Sequence, residues 1–75
     1  MKIEYDPEVD ALYIQFRPVP DGGAENRAVS DDITADYGPD GKLVGLEILD
    51  ASVVLGDEPG RVVVDVASTK ASRAR

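Results

Sequence analysis

The sequence predicts an all-β fold, a small antiparallel meander of five to six strands. Apolar side chains recur at every second position in several short runs, which is the pattern of strands that bury one face. Clusters of Pro, Gly and Asp separate these runs. No segment has the three-and-four spacing of a helix over ten or more residues. We therefore assign 1–67 to a single β-rich domain and 68–75 to a flexible basic tail.

The first two strands are predicted to form a hairpin. The first strand carries Ile3 and Tyr5 on one face. The turn at 6–10 begins with Asp and then Pro, which favours a type I turn. The second strand, 12–16, continues the apolar alternation. Residues 18–23 then form a loop, because two prolines cannot donate to a strand ladder and a glycine pair is flexible.

A second hairpin is predicted in the middle of the chain. A weaker strand is expected over 25–30, and the two aspartates at 31–32 mark a bulge or a break. Apolar and polar residues alternate again over 33–37 and over 43–49. The sequence Gly-Pro-Asp-Gly at 38–41 lies between these two runs and predicts a tight hairpin loop.

The last third of the domain is less regular. Residues 53–55 form a short apolar run that fits either the end of a strand or one turn of helix. A turn is expected at 56–60, followed by a last strand in which valines alternate over 62–66. The alternative fold class is α+β, with one short helix after Asp50.

The predicted sheet is expected to be completed by homo-oligomerisation. A domain of this size buries only about 60% of the surface of its unfolded chain, and small domains usually need an additional stabilising feature. The chain has no Cys and no His, which excludes disulfides and the commonest metal ligands. The strands at 43–49 and 62–66 carry apolar residues on both faces, and no long helix covers them. We expect a homodimer or a higher homo-oligomer.

The charge distribution limits the possible partners. Residues 1–67 contain 15 Asp and Glu against five Lys and Arg, a formal charge of −10, while residues 68–75 carry +3. A field of this sign repels nucleic acid and anionic lipid and attracts basic proteins. No apolar run is long enough to span a membrane, and the N-terminus becomes charged at once. We expect a cytoplasmic protein that binds neither nucleic acid nor membrane directly.

Carboxylates are the main candidates for chemistry. Two groups raise the question of a cation site: Asp6, Glu8 and Asp10 within one turn, and Asp31, Asp32, Asp36 and Asp40 further along the chain. Both groups lack the glycine and distal glutamate of a calcium-binding loop, and acidic residues are ordinary in turns and at strand edges. We assign no metal ligand and no cofactor.

Glu47 is the one acidic residue in the middle of an apolar strand. Such a placement can raise the pKa of a carboxyl group and create a general acid. A glycosidase-like mechanism would need a second carboxylate across a cleft, and the sequence indicates no cleft. The favoured interpretation is a cross-strand pair with Arg27 or Lys42, or simple exposure to solvent.

Other catalytic and binding chemistry finds no support in the sequence. The serines have no His that could act as their general base: Ser30, Ser52, Ser68 and Ser72. The chain also has no Cys that could serve as a nucleophile instead. The pair Gly22-Gly23 lacks the Lys and helix of a phosphate loop. Three tyrosines, Tyr5, Tyr13 and Tyr37, are expected to be packing groups with a polar tip. We assign no catalytic residue and expect no enzymatic activity.

Two stretches carry a family resemblance. Residues 5–14, YDPEVDALYI, resemble the opening signature of a family of small prokaryotic proteins, domain of unknown function 2283. Residues 35–52, ADYGPDGKLVGLEILDAS, resemble its closing signature. After Ser52 the sequence departs from many members, because a turn and a valine-rich strand stand where the family suggests a short helical segment.

The resemblance implies a modest functional expectation. The family has no established activity and no agreed catalytic residues, and some members are thought to be encoded beside small toxin-like proteins. This implies a non-enzymatic interaction module, antitoxin-like, that engages a small basic partner. Two alternatives stay open: a self-assembling structural domain, and a metal binder or enzyme that uses carboxylates alone.

Overall fold

A computed structural model describes residues 1–56 and 58–67 of the chain. The fold is a five-stranded antiparallel sheet with one short helix, which confirms the all-β prediction. The elements are β1 (Lys2–Asp6), β2 (Ala11–Gln15), β3 (Glu25–Ala28), β4 (Ile33–Tyr37), β5 (Leu43–Leu49) and α1 (Ala51–Val54). The predicted basic tail, 68–75, lies outside the described residues.

Two local hairpins supply most of the sheet. β1 pairs with β2, and β3, β4 and β5 follow one another as a meander. The predicted β4–β5 hairpin is confirmed with the bounds expected for both strands. In its turn the Gly41 N–H donates to the Gly38 carbonyl at 2.9 Å. Gly41 has a φ of 79°, a left-handed conformation that glycine adopts without steric cost.

A non-local pairing joins the hairpins into one sheet. β2 pairs with β5, so the strand order is β1-β2-β5-β4-β3 and β5, the longest strand, is central. The connection from β2 must therefore carry the chain across to the far edge of the sheet. Arg17 in this connection holds it against the β4–β5 turn, because its guanidinium donates to both carboxylate oxygens of Asp40, at 2.7 and 3.1 Å.

The hydrophobic core lies on one side of the sheet, which we call the helix face. Leu12, Ile48 and Ala51 are buried together there, and half-buried apolar side chains pack around them: Ile3, Tyr5, Ile14 and Ile33. Val44 is fully buried on the same side of β5. Only five apolar residues among the described ones are buried, so the hydrophobic core of a single copy is small, or thin.

α1 resolves the ambiguity of the 53–55 run in favour of helix. The helix begins after Asp50, whose φ of 54° turns the chain from β5 back over the sheet. Its first residue, Ala51, is completely buried, while Val53 and Leu55 are exposed. The expectation that this chain lacks the short helix after Ser52 was therefore wrong, because a helix of one turn is present. No helix in the described residues is long and apolar enough to cross a membrane.

The predicted last strand is not formed. Residues 61–67 have no strand partner in the described structure, and Val62, Val63, Val64 and Val66 are between 51 and 84% exposed. Their alternation gives high β-propensity, but a strand exists only where a neighbouring strand accepts its hydrogen bonds. β3 also ends earlier than predicted, at Ala28, and the register irregularity lies between Asp36 and Tyr37 while 31–32 form a bend.

Candidate functional site

The side of the sheet opposite α1, which we call the open face, is covered by no described element. Alternation along the strands places the polar partners of the core residues there. Glu4 on β1, Tyr13 on β2 and Glu47 on β5 lie in one cross-strand row, because Tyr13 is in register with both glutamates. Both glutamates are exposed and the tyrosine is half-buried.

A groove of about 550 Å³ runs over this part of the open face. Its lining combines acidic, aromatic and small apolar residues: Glu4, Tyr5, Asp6, Pro7, Val9, Ala11, Leu12, Tyr13 and Glu47. Three of these side chains are carboxylates, and no Lys or Arg is among them. We call this feature the acidic groove. The arrangement is suited to a positively charged group that can also contact an aromatic ring.

Tyr13 is held in place by a hydrogen-bond chain across the sheet. Its hydroxyl donates to Asp36 Oδ2 on β4 at 3.0 Å, and the Asn26 side-chain amide on β3 donates to the other oxygen of Asp36. The ring reaches β4 by lying over Gly45. A Cβ on Gly45 would come within 2.7 Å of Tyr13 Cζ and 2.6 Å of the Ile14 carbonyl oxygen, so only glycine fits.

The surroundings raise the pKa of both tyrosines that line the groove, whose phenols are neutral at pH 7. Partial burial raises the pKa of Tyr13, and the hydrogen bond to Asp36 with the nearby charges of Asp36 and Glu47 raises it further. The pKa of Tyr5 is raised chiefly by its hydrogen bond to Asp10. The groove therefore presents carboxylates and a neutral phenol, a set that binds cations.

Asp10 connects the β1–β2 turn to α1. Its carboxylate accepts hydrogen bonds from the Tyr5 hydroxyl at 2.7 Å and from the Ser52 hydroxyl at 2.6 Å. The Ser52 N–H also donates to it at 3.0 Å, and the Ala51 N–H donates to the Asp10 carbonyl at 2.9 Å. These bonds, led by that of the Ser52 hydroxyl, lower the pKa of Asp10.

The acidic groups considered as cation sites do not converge. Asp10 is turned toward Ser52, while Asp6 accepts from the Glu8 N–H at 3.0 Å. In the second group, Asp36 is bound by Tyr13 and Asp40 by Arg17, whose guanidinium lowers the pKa of Asp40 to about 2. Within 1–56 and 58–67 no group of three or more such side chains is placed to hold a metal ion.

Glu47 has neither of the cross-strand cations considered for it. It is exposed, and its in-register neighbours are Tyr13 and Thr34. Arg27 instead lies over the Tyr37 ring, 4.8 Å from its centroid. Of the two interpretations offered, a cross-strand ion pair and exposure to solvent, the structure shows exposure to solvent.

The sequence did not indicate the acidic groove, because its residues come from strands that are distant in the chain. Glu4, Tyr13 and Glu47 meet only once β2 pairs with β5, and that non-local pairing has no local turn signal. The one available clue was Gly45, a glycine inside an otherwise apolar strand, which indicates a close approach by another group.

Comparison with known proteins identifies the family. Residues 2–52 match the family model described as protein of unknown function, DUF2283. The chain belongs to this family. The match ends at Ser52, the residue whose hydroxyl binds Asp10, and includes every residue that lines the acidic groove. Searches of curated proteins and of solved structures gave no significant match.

Proposed function

We propose that this member of the family is a non-enzymatic protein-interaction module whose acidic groove binds a basic segment of a partner protein. The partner class we propose is a small basic toxin-like protein, which gives the module an antitoxin-like role in the cytoplasm. The observation that carries this proposal is the row of Glu4, Tyr13 and Glu47, with Asp6 beside it and no cation in the lining.

Arginine suits the acidic groove better than lysine does. A guanidinium is planar, can stack on a tyrosine ring and can donate two parallel hydrogen bonds to one carboxylate. Tyr13 offers a ring held at a fixed position by Asp36, and exposed carboxylates lie in register on both sides of it. The charge of the domain adds long-range attraction for a basic partner, which speeds association at low salt.

Titration with short peptides tests this proposal. Labelled hexa-arginine, hexa-lysine and hexa-glutamate peptides are titrated with the protein, and binding is followed by fluorescence anisotropy. We expect hexa-arginine to bind most tightly, hexa-lysine less tightly and hexa-glutamate not at all. Binding should weaken as salt is added, because exposed charge pairs are screened.

A matched pair of double variants separates the groove from general charge attraction. Glu4→Gln with Glu47→Gln removes two groove carboxylates and should weaken hexa-arginine binding by about 2- to 30-fold, as expected for two exposed ion pairs. Asp21→Asn with Glu25→Gln removes the same charge from exposed positions outside the groove. Equal losses in the two variants would contradict a specific groove, and no binding of hexa-arginine would contradict the proposal itself.

A further inference from the structure

The valine-rich segment Arg61–Ala67, which we call the valine segment, has the composition of a strand but no strand partner. Five of its seven residues are Val or Ala, and Val62, Val63 and Val64 are consecutive. Its valines are more than half exposed, although isolated β-forming segments of this kind are normally paired or protected by charge. Such a segment in a small domain with a thin core requires an explanation.

The sheet has two edges that could accept this segment, and only one matches it. β3 presents Glu25 and Arg27 toward the helix face, where a strand of alternating valines would find no apolar neighbour. β1 presents Ile3 and Tyr5 on that face, and both pack against the core. No described strand pairs with the outer side of β1.

An antiparallel register on β1 matches most side chains of the segment. The pairs are Asp6–Arg61, Tyr5–Val62, Glu4–Val63, Ile3–Val64, Lys2–Asp65 and Met1–Val66. Three apolar pairs then lie on the helix face, and two pairs of opposite charge lie on the open face. Opposite charges directly across an antiparallel ladder are favourable, and like charges are unfavourable.

The parallel alignments that keep valines beside Ile3 and Tyr5 are worse. A parallel alignment that keeps valines beside Ile3 and Tyr5 places Lys2 next to Arg61 and Asp6 next to Asp65. Shifting that alignment by two residues places Glu4 next to Asp65. In each case like charges are adjacent, so the charge pattern selects the antiparallel direction.

Within one chain this register is not formed. The Arg61 N–H donates to the Glu58 carbonyl at 3.0 Å, and the Arg61 guanidinium lies 3.4 Å from the Glu58 carboxylate. Gly60 therefore faces the Tyr5 ring, with its position for a Cβ 3.4 Å from the ring. Val62 would have to take that place in the matched register, so the segment does not adopt the matched register with its own β1.

A groove remains between β1 and the valine segment of the same chain. It has a volume of about 380 Å³, and its lining is almost entirely apolar: Met1, Ile3, Tyr5, Pro59, Gly60, Val62 and Val64. The segment thus lies near β1 without closing against it. The same apolar side chains would close the groove if a strand were bound to β1 in the matched register.

We propose that the valine segment of one copy pairs as a sixth strand with β1 of a second copy, in a symmetric, reciprocal dimer. Charge complementarity at Asp6–Arg61 and Lys2–Asp65 sets the register, and burial of the valines supplies most of the stability. The β1 edge of a second copy is not joined to the donated segment through the same chain, so the segment can approach that edge in the matched register. The added strand extends the apolar side of the sheet beyond β1, so more apolar surface is buried than in a single copy.

Disulfide trapping tests both the register and the partner. The chain has no Cys, so Glu4→Cys with Val63→Cys introduces a single defined pair that is adjacent in the proposed register. We expect oxidation to give a covalent dimer of twice the 8.0 kDa chain mass on a non-reducing gel, reversed by reductant. Glu4→Cys with Arg61→Cys is the control, because these two positions are not opposite each other in the proposed register and should not give the covalent dimer.

Two outcomes of this experiment would overturn the proposal. An internal disulfide in the Glu4/Val63 variant, seen as a monomer without free thiols, would show that the segment pairs with its own β1. A mass near 8.0 kDa for the unmodified protein by light scattering across the micromolar range would show that no dimer exists.

Charge exchange provides an independent test that needs no covalent bond. Lys2→Asp and Asp65→Lys each place like charges opposite each other, and each should weaken the dimer by about 2- to 20-fold at low salt. The double variant restores opposite charges and should recover most of the loss. Failure of the double variant to recover, with all variants folded by circular dichroism, would contradict the proposed register.

Discussion

At the scale of single residues, Asp10 and Tyr13 define what this small sheet can do. Asp10 receives three donors from Tyr5 and Ser52, so one carboxylate connects the first turn to the helix. Tyr13 receives its position from Asp36 and from the space over Gly45. Each residue takes part in a hydrogen bond between a tyrosine and a carboxylate. The bond of Asp10 stabilises the fold, and the bond of Tyr13 fixes the ring that lies in the groove.

Asp10 and Asp40 predict the acid limit of stability. Hydrogen bonds hold the pKa of each carboxyl below its usual value of 3.8 in the folded protein, to about 2 for Asp40. Their contribution is therefore complete above about pH 4 and is lost as the pH falls from there toward 2. Urea unfolding at pH 7, 4 and 2 should show a fall in the free energy of unfolding between pH 4 and pH 2. This fall should be smaller in Asp10→Asn and in Asp40→Asn than in the unmodified protein. A decline unchanged in both variants would contradict the assignment.

Gly45→Ala tests the position of the Tyr13 ring. The added methyl group meets Tyr13 Cζ and a backbone oxygen at distances that real contacts do not reach, so we expect a loss of about 1 to 3 kcal/mol in the free energy of unfolding. Gly60→Ala is the matched control, because its methyl group would lie at an ordinary 3.4 Å from Tyr5. Equal urea midpoints for the two variants would contradict the packing.

At the scale of elements, the sequence predicts strands and turns that depend on neighbouring residues, and it does not predict the pairing of strands that are distant in the chain. The bounds of β4 and β5 follow from alternation and from the Gly-Pro-Asp-Gly turn. The β2–β5 pair, and with it the acidic groove, brings together residues that are 30 to 38 positions apart, for which no turn signal exists. The valine segment shows the opposite limit: its β-propensity is high, but no described strand pairs with it.

Substitutions in the valine segment distinguish apolar burial from charge. Val64→Asp places a carboxylate opposite Ile3 and should weaken the dimer strongly, since full burial of a valine contributes about 1.5 to 3 kcal/mol. Asp65→Ala removes only the partner of Lys2 and should have a smaller effect. Light scattering across a concentration series measures both. A larger effect of Asp65→Ala than of Val64→Asp would contradict the arrangement of faces.

At the scale of the whole molecule, the proposed class of partner rests on charge and on the open face of the sheet. The charge of −10 over residues 1–67 is spread around a sheet whose open face carries the acidic groove. Family membership fixes the group of proteins to which the chain belongs without assigning an activity. The proposed basic partner and the proposed dimer meet at β1, because Glu4, Tyr5 and Asp6 line the acidic groove and also face the valine segment in the proposed register.

The same charge predicts that the isolated protein does not bind nucleic acid. Affinity for a polyanion comes mainly from cationic side chains that release counterions, and five basic residues against 15 acidic ones in 1–67 cannot supply it. Titration of labelled duplex DNA and single-stranded RNA at physiological salt should show no measurable binding. Micromolar binding that survives deletion of 68–75 would contradict the charge argument.

The most direct test of the proposed function maps where a basic ligand binds. Isotopically labelled protein is titrated with hexa-arginine, and backbone amide shifts are followed by nuclear magnetic resonance. The account predicts saturable shifts concentrated at Glu4, Asp6, Val9, Tyr13 and Glu47, and their loss in the Glu4→Gln, Glu47→Gln variant. Shifts spread evenly over all acidic residues, or concentrated at the β3 edge, would contradict a basic-segment site in the acidic groove.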